Sequence, residues 1–398
     1  MATPYDLNMR HLRMVVAIAD TGSLSAAART AAISQPALTQ ALARLEKAFG
    51  ASLFHRSAGG VIATAEGKPV LQRIRRAMRS FGKACRAIGK TQAAERLESY
   101  LTTAHVRGLI ALSEAGSFSR AAENVGISIP SLHRAVRDVE RLAGTPLVEQ
   151  RGRGVELTRA GSKLARGFMM GVTELAAGLE ETTERGGYLS LGAMALSRSL
   201  LLPATLANLL QQRPDVRVDV VEGSYFELVE LLRSGRIDVL IGALRDHPGA
   251  DLLQEPLFHD RLTIIGRASH PLAGAVAGLE ELATYPWIVA RRASGLLDRW
   301  QKMFDRSGMP RPDAPIQCGS VALIRGLLVR SDFLTLLSTD QVSAEIDSGT
   351  LVRIESSVPD TMRTIGAISR RDWFPTRAQQ AFLHCLRETS ADVEAPPQ

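Results

Sequence analysis

Three cysteines in 398 residues, Cys85, Cys318 and Cys385, are too few and too far apart for a disulfide framework or a zinc cluster. They read as free thiols of a reducing compartment. Recognisable catalytic signatures are missing too: there is no HExxH, P-loop, GxSxG or dinucleotide fingerprint, and His247, His259, His270 and His384 stand scattered. No catalytic residue, metal ligand or cofactor is therefore assigned, and the chain reads as a non-enzyme. Long apolar runs are equally scarce. The stretch Met14–Ala19 is far too short to span a bilayer and is followed by Asp20, not a cleavage motif, so neither a signal peptide nor a membrane helix is expected. With 45% apolar and 22% charged residues, the chain has material for two or three globular domains, expected in the cytoplasm.

What is there is a repeat. The phrase Gly22-Ser23-Leu24-Ser25-Ala26-Ala27-Ala28 returns 94 residues later as Gly116-Ser117-Phe118-Ser119-Arg120-Ala121-Ala122. Laid over one another without a gap, residues 11–67 and 105–161 share 20 identities in 57 positions, which implies a duplicated module. In each copy the pattern is helix, tight turn, helix, then a short hairpin. Leu12, Val15, Val16 and Ala19 recur at helical spacing up to Gly22, and Ser23 suits the N-cap of an Ala-rich second helix. Ser34 then caps a third helix with Pro36 in its first turn and Leu38, Leu42 and Leu45 on its apolar face. Leu53–Arg56 and Val61–Thr64 around Gly59-Gly60 read as a two-stranded wing. The order is that of a winged helix-turn-helix, whose third helix enters the major groove.

The residues of this module resemble one family closely. Ser34-Gln35-Pro36-Ala37-Leu38-Thr39-Gln40, Leu45-Glu46, Leu53-Phe54-His55-Arg56 and Thr64-Ala65-Glu66-Gly67 are similar to the DNA-binding domain of LysR-type transcriptional regulators. The resemblance implies that Ser34, Gln35, Pro36, Thr39, Gln40, Arg44 and Arg56 meet double-stranded promoter DNA. In the second copy the matching candidates are Ser128, Ser131, His133, Arg134, Arg151 and Arg153. There Gln35, whose amide suits a bidentate base contact, is replaced by Ile129, which offers only apolar contact such as a thymine methyl. The second copy is thus either a second groove reader or a scaffold that holds phosphates.

Charge is divided unevenly. Residues 1–187 hold 26 Lys+Arg against 16 Asp+Glu, a net of +10, leaving 22 against 25 for the remainder. The basic part suits a polyanion. Its densest run, Arg73, Arg75, Arg76, Arg79, Lys83 and Arg86, falls on a helix expected from about Glu66 to Ile88, either as a solvated face or as phosphate contacts. A second helix is expected over Ser162–Glu184. In the resembling family the corresponding linker helix pairs antiparallel with that of a second chain. Since this chain owns two, either the two modules pair within one chain and present two groove-reading helices together, or the second copy is a scaffold that only binds phosphates.

From Gly187 strands and helices alternate: Tyr188–Ala193, Leu200–Gln211, Val216–Val221, Tyr225–Ser234 and Ile237–Gly242 read as βαβαβ, an open parallel sheet. Leu202-Pro203, Pro214-Asp215-Val216, Gly235-Arg236-Ile237-Asp238-Val239 and Ser269-His270-Pro271-Leu272 resemble the family's effector domain, related in fold to the type 2 periplasmic binding proteins. A second lobe is expected from Asp260 to Ser338, with return to the first near Leu351–Ile368. The expected architecture is therefore two tandem winged modules with linker helices, residues 1–89 and 90–186, followed by a two-lobed α/β regulatory domain, residues 187–398. Ligands of open α/β sheets sit beyond the carboxyl ends of strands, where helix N-termini favour anions. By that rule the effector candidates are Ser197, Arg198, Ser199, Ser224, Tyr225, Arg291, Arg292, Ser294 and Ser320. Hydroxyls beside arginines suit a small organic acid.

The function expected is a DNA-binding regulator controlled by such an effector, active as a dimer or tetramer, with RNA polymerase as a further candidate partner. The alternative is an architectural DNA-binding protein whose second half serves only oligomerisation.

Overall fold

Asn8 opens the first helix: its side chain accepts the backbone N–H groups of Arg10 at 2.9 Å and His11 at 3.3 Å. The computed structural model of the chain describes residues 2–57, 59–88, 92–152, 154–182, 186–194, 201–291, 295–357 and 361–394. The first module holds α1 (Met9–Thr21), α2 (Leu24–Thr30), α3 (Gln35–Phe49), the wing strands β1 (Phe54–Ser57) and β2 (Gly60–Ala63), and α4 (Gly67–Ala87). After α5 (Gln92–Tyr100) the plan returns as α6 (Thr103–Ala115), α7 (Phe118–Val125), α8 (Ile129–Ala143), β3 (Val148–Arg151), β4 (Gly154–Leu157) and α9 (Arg159–Glu180).

The same local chemistry terminates each element twice. Gly22 and Gly116 end α1 and α6 in the left-handed region, both at φ 63°, and Ser23 and Ser117 cap the helices that follow. Ser34 and Ser128 cap α3 and α8, with Pro36 and Pro130 in the first turn where no N–H is needed. The wing is tied to the end of the first helix of its module: Val61 N–H donates to Gly22 O and Val155 N–H to Gly116 O. Gly67 and Gly161 are required by close approach. A Cβ there would lie 2.3 Å from Leu53 O and 2.0 Å from Leu147 O.

α4 and α9 pack on each other. α4 offers Phe81 and Ala84 to the glycine-bearing side of α9, where a Cβ on Gly167 or Gly171 would lie 2.3 Å from Ala84 or Phe81. Phe81 also meets Phe168 edge to face, with centroids 6.0 Å apart. Arg73 lies in this interface with 2% of its side chain exposed, reaching Glu174 at 3.2 Å and Glu181 at 2.9 Å, while Arg76 reaches Glu174 at 2.6 Å. The arginine run of α4 is therefore not a uniformly solvated face. Arg75 pairs with Asp20 and Arg86 with Glu98, leaving Arg79 and Lys83 exposed. Periodicity could not show this, because the partner carboxylates lie about a hundred residues away in the chain.

The chain divides into two compact units, one of Met1–Gly187 with Arg233–Arg236 and one of Tyr188–Leu232 with Ile237–Gln398; both winged modules lie in the first. The second unit contains β5 (Tyr188–Ala193), α10 (Leu201–Gln212), β6 (Arg217–Glu222), α11 (Tyr225–Ser234), β7 (Val239–Ala243) and β8 (Leu252–Arg267). It continues through α12 (Leu279–Ala283), β9 (Trp287–Val289), α13 (Gly295–Asp305), β10 (Ile316–Gln317), α14 (Val321–Leu328) and β11 (Leu334–Ser338). It closes with α15 (Ser343–Asp347), β12 (Leu351–Ile354), β13 (Thr361–Arg370) and α16 (Arg377–Glu394).

The sheet is mixed, where strand–helix alternation alone implied parallel pairing. β5 pairs in parallel with β6 and β7, and β9 in parallel with β10 and β11. Between these groups run β8 and β13, antiparallel to one another from Thr361↔Leu262 to Arg370↔Leu252, with β13 antiparallel to β7 and β8 antiparallel to β11. The β8–β13 register breaks between Ile365 and Gly366, where a Cβ on Gly366 would lie 2.2 Å from Glu255 O. Each parallel group has its own core: Leu191, Ile241, Phe258 and Phe382 on one side, Trp287, Trp300, Phe304 and Leu334 on the other.

Candidate DNA-reading face and effector site

The buried side of α3 is Leu38, Ala41, Leu45 and Phe49, which leaves Gln35, Pro36, Thr39, Gln40 and Arg44 exposed on one polar helix. Ser34 and the first turn are held by the cap, Ser34 Oγ accepting from Ala37 N. Gln35 is oriented from outside the helix: Ser25 Oγ donates to its Oε1 at 3.0 Å. Thr39 spends its hydroxyl on Gln35 O at 3.0 Å, so that its methyl is what a ligand would meet. Arg56 is exposed on the wing.

In the second module the same helix positions carry a different surface. Ile129 is 43% exposed at the start of α8. Ser131 Oγ lies 2.8 Å from Ser128 Oγ. His133 is stacked flat on Phe118, with centroids 3.6 Å apart and an interplanar angle of 15°. Arg134 is exposed. On the wing, Arg151 pairs with Glu156 of the facing strand at 2.6 Å, so its charge is partly answered. Arg153 lies outside the described residues.

Of the effector candidates, Ser197, Arg198, Ser199, Arg292 and Ser294 lie outside the described residues. The others are placed as follows. Ser224 both donates to and caps with Glu227, its N and Oγ reaching Oε2 at 2.8 and 2.7 Å. These two hydrogen bonds, followed by the charge of Arg291, hold the Glu227 carboxyl below its ordinary value. Ser320 caps α14 by accepting from Leu323 N, and Arg291 runs past Gly319, its Cδ 3.9 Å from where a Cβ would stand. Arg291 thus joins the starts of α11 and α14. Tyr225 is buried, with the Arg245 guanidinium over its ring at 4.9 Å.

Arg245 follows the carboxyl end of β7. Its Nη1 lies 2.5 Å from where a Cβ on Gly295, the first residue of α13, would stand. Arg299, one turn into α13, has its pKa lowered by burial first and then by the nearby charges of Arg363 and Arg245. Arg363 is committed to Asp260 at 2.6 Å, and Ser338 donates to the other oxygen of that carboxylate at 2.6 Å. Among the described residues neither Arg245 nor Arg299 makes an ion pair. Two cations held near a third by the fold suit an anion.

The three free cysteines are Cys85, Cys318 and Cys385, and burial pushes the Cys85 thiol up to about 12, far from thiolate chemistry. Among the described residues no cluster of His, Cys, Asp and Glu suited to a metal ion occurs, and no helix is long and apolar enough to cross a membrane.

Residues 9–68 and again 103–162 match the family described as bacterial regulatory helix-turn-helix protein, lysR family, and residues 182–391 match the LysR substrate binding domain. The HTH-type transcriptional regulator GalR of Pseudomonas putida is 31% identical over 389 residues, covering 96% of this chain and 97% of that protein. PcaQ, an HTH-type transcriptional regulator of Agrobacterium fabrum, is 25% identical over 295 residues, covering 73% of this chain but 95% of its own length. Among solved structures, a full-length OxyR variant from Pseudomonas aeruginosa aligns over 72% of this chain and 93% of its own, at 21% identity and a TM-score of 0.56, a likeness of fold.

Proposed function

The chain belongs to the LysR family of DNA-binding transcriptional regulators with an effector-binding domain, and from that premise we propose that a small organic acid controls how it holds a promoter operator. Members of the family bind DNA, bind small-molecule effectors and oligomerise. The acid is read from charge: the Arg245 guanidinium, just after the carboxyl end of β7, lies over the Tyr225 ring, and Arg299 of α13 stands near enough to feel its charge, with no ion pair to either among the described residues. A carboxylate would answer both guanidiniums. Control requires that the acid bind two arrangements of the protein unequally.

The reading head is proposed to be complete in one chain. The antiparallel linker-helix pairing that the resemblance assigns to two chains has its counterpart here in α4 and α9 of the same chain, joined by Arg73, Glu174 and Glu181. Two groove-reading helices, α3 and α8, then act together, in the cytoplasm, on one operator.

Isothermal titration of the full-length protein with a panel of aromatic and aliphatic carboxylic acids tests the effector reading. At least one acid binds, and Arg245→Ala removes that binding while leaving the unfolding midpoint unchanged. A protein that takes only neutral sugars or nucleosides is not the regulator described here.

A further inference from the structure

The two modules are paired by a contact that is not interchangeable between its halves. α4 supplies the cations, Arg73 and Arg76; α9 supplies the anions, Glu174 and Glu181, and the glycines that receive Phe81 and Ala84. Two α4 helices placed together would bring buried guanidiniums face to face, and two α9 helices would do the same with carboxylates. Like charges in a desolvated interface are strongly disfavoured, so the seam pairs α4 with α9 and specifies which head stands on which side.

Those heads present different chemistry at equivalent positions of the repeat. Gln35, Thr39 and Gln40 of α3 correspond to Ile129, His133 and Arg134 of α8. The Gln35 amide, steadied by Ser25, offers a donor and a remaining acceptor lone pair, the pattern that complements adenine in the major groove. At the same place Ile129 can offer only hydrocarbon, whose counterpart in the groove is the thymine methyl. Arg134 replaces an amide by a fork suited to guanine, and the imidazole fixed on Phe118 presents a rigid aromatic edge where α3 has only a methyl.

Building on the proposal that both helices read one operator, we propose that the operator consists of two unlike half-sites bound in a single orientation. The box under α3 is read through hydrogen-bonding edges at Gln35 and Gln40, and the box under α8 carries thymine opposite Ile129 and guanine opposite Arg134. A symmetric operator satisfies one head and leaves the other misread. Because the seam fixes the order of heads, the protein has a direction on DNA.

Selection of random duplexes by the purified full-length protein at physiological salt, followed by affinity measurement on the winners, decides the matter. The wild-type chain enriches two different boxes in fixed relative orientation. The triple variant Ile129→Gln, His133→Thr, Arg134→Gln, which changes residues at the start of α8 of which only His133 packs, on Phe118, enriches an inverted repeat of the α3 box and prefers it over the wild-type operator by on the order of tenfold or more. Ile129→Ala, the smaller change, weakens binding only to operators that retain the α8 box. Enrichment of an inverted repeat by the wild-type chain, enrichment of a single box, or a triple variant that selects the wild-type operator would each overturn unlike half-sites while leaving a sequence-specific regulator in place. Diffuse, salt-labile binding with no enriched sequence would instead remove the regulator reading, and this inference with it.

Discussion

In the first winged module Glu46 accepts the Leu53 N–H at 2.7 Å and Thr64 donates to Ser52 O; in the second, Glu140 accepts the Leu147 N–H at 2.8 Å and Thr158 donates to Pro146 O. Glycines in the same conformation end the same helices, and serines cap the same starts. On the face these bonds hold in place, by contrast, Gln35, Thr39 and Gln40 have become Ile129, His133 and Arg134. Positions that satisfy buried backbone groups have few chemical substitutes, because an unpaired N–H or C=O there costs about 1–3 kcal/mol. Positions that face outward satisfy no buried backbone group, even where Ser25 steadies Gln35 or Phe118 carries His133, and are free to diverge. Retention thus marks the frame, and divergence marks what the frame carries.

The seam between the two modules carries the largest expected effect. Arg73→Met leaves Glu181, and in part Glu174, buried without their cation, and the expected loss is about 3–5 kcal/mol in urea unfolding. A loss below about 1 kcal/mol would mean that the modules are not locked together through this residue. Next in size, Gly67→Ala and Gly161→Ala each drive a methyl into a carbonyl oxygen of the preceding loop, Leu53 or Leu147, and both are expected to lose about 2–3 kcal/mol. Markedly unequal losses would show that the two frames are not equivalent.

A smaller effect sharpens the contrast from the other side. Ala32 sits at φ 52° where the second module has Gly126 at φ 66°, a left-handed turn that a Cβ disfavours. Ala32→Gly is expected to gain up to about 1 kcal/mol and Gly126→Ala to lose a similar amount in thermal unfolding, opposite signs at one position of the repeat. The smallest effect concerns acid. Thr102 N–H donates to Nδ1 of His105, which only the neutral imidazole accepts, and burial lowers the His105 pKa from its ordinary 6.5. The unfolded chain therefore binds the proton first, so this part of the stability is present above pH 6.5 and lost as the pH falls from there through the folded-state pKa. Unfolding midpoints of the wild type and His105→Gln should diverge as the pH drops below that value; divergence on raising the pH would contradict the assignment. In the first module His11 holds the equivalent position, and burial lowers its pKa too, but there the Asn8 side chain caps the helix.

Much of the frame was legible because it is local. Ser34, Pro36, Gly50 and the glycine-marked wing act within a few residues of themselves, and helix period and cap chemistry locate α3 and α8 without any knowledge of the fold. The βαβαβ run of the second unit was legible for the same reason. What could not be seen was pairing across long separations: Arg73 with Glu181, the antiparallel β8–β13 ribbon, and Arg363 with Asp260. A run of arginines looks the same whether its partners are phosphates, water or carboxylates on another helix. Arg245 and Arg299 escaped because a lone arginine after a strand carries no signature; only the neighbourhood of Tyr225, Gly295 and Arg363 distinguishes them.

The covalent joining of α4 to α9 changes what dilution can do. A head made from two chains falls apart as protein becomes scarce, whereas segments on one chain meet at an effective concentration on the order of millimolar however few chains are present. On the proposal that α4 and α9 complete one reading head, a cell holding a single copy of this chain holds a whole head, and loss-of-function alleles confined to the seam are expected to be recessive.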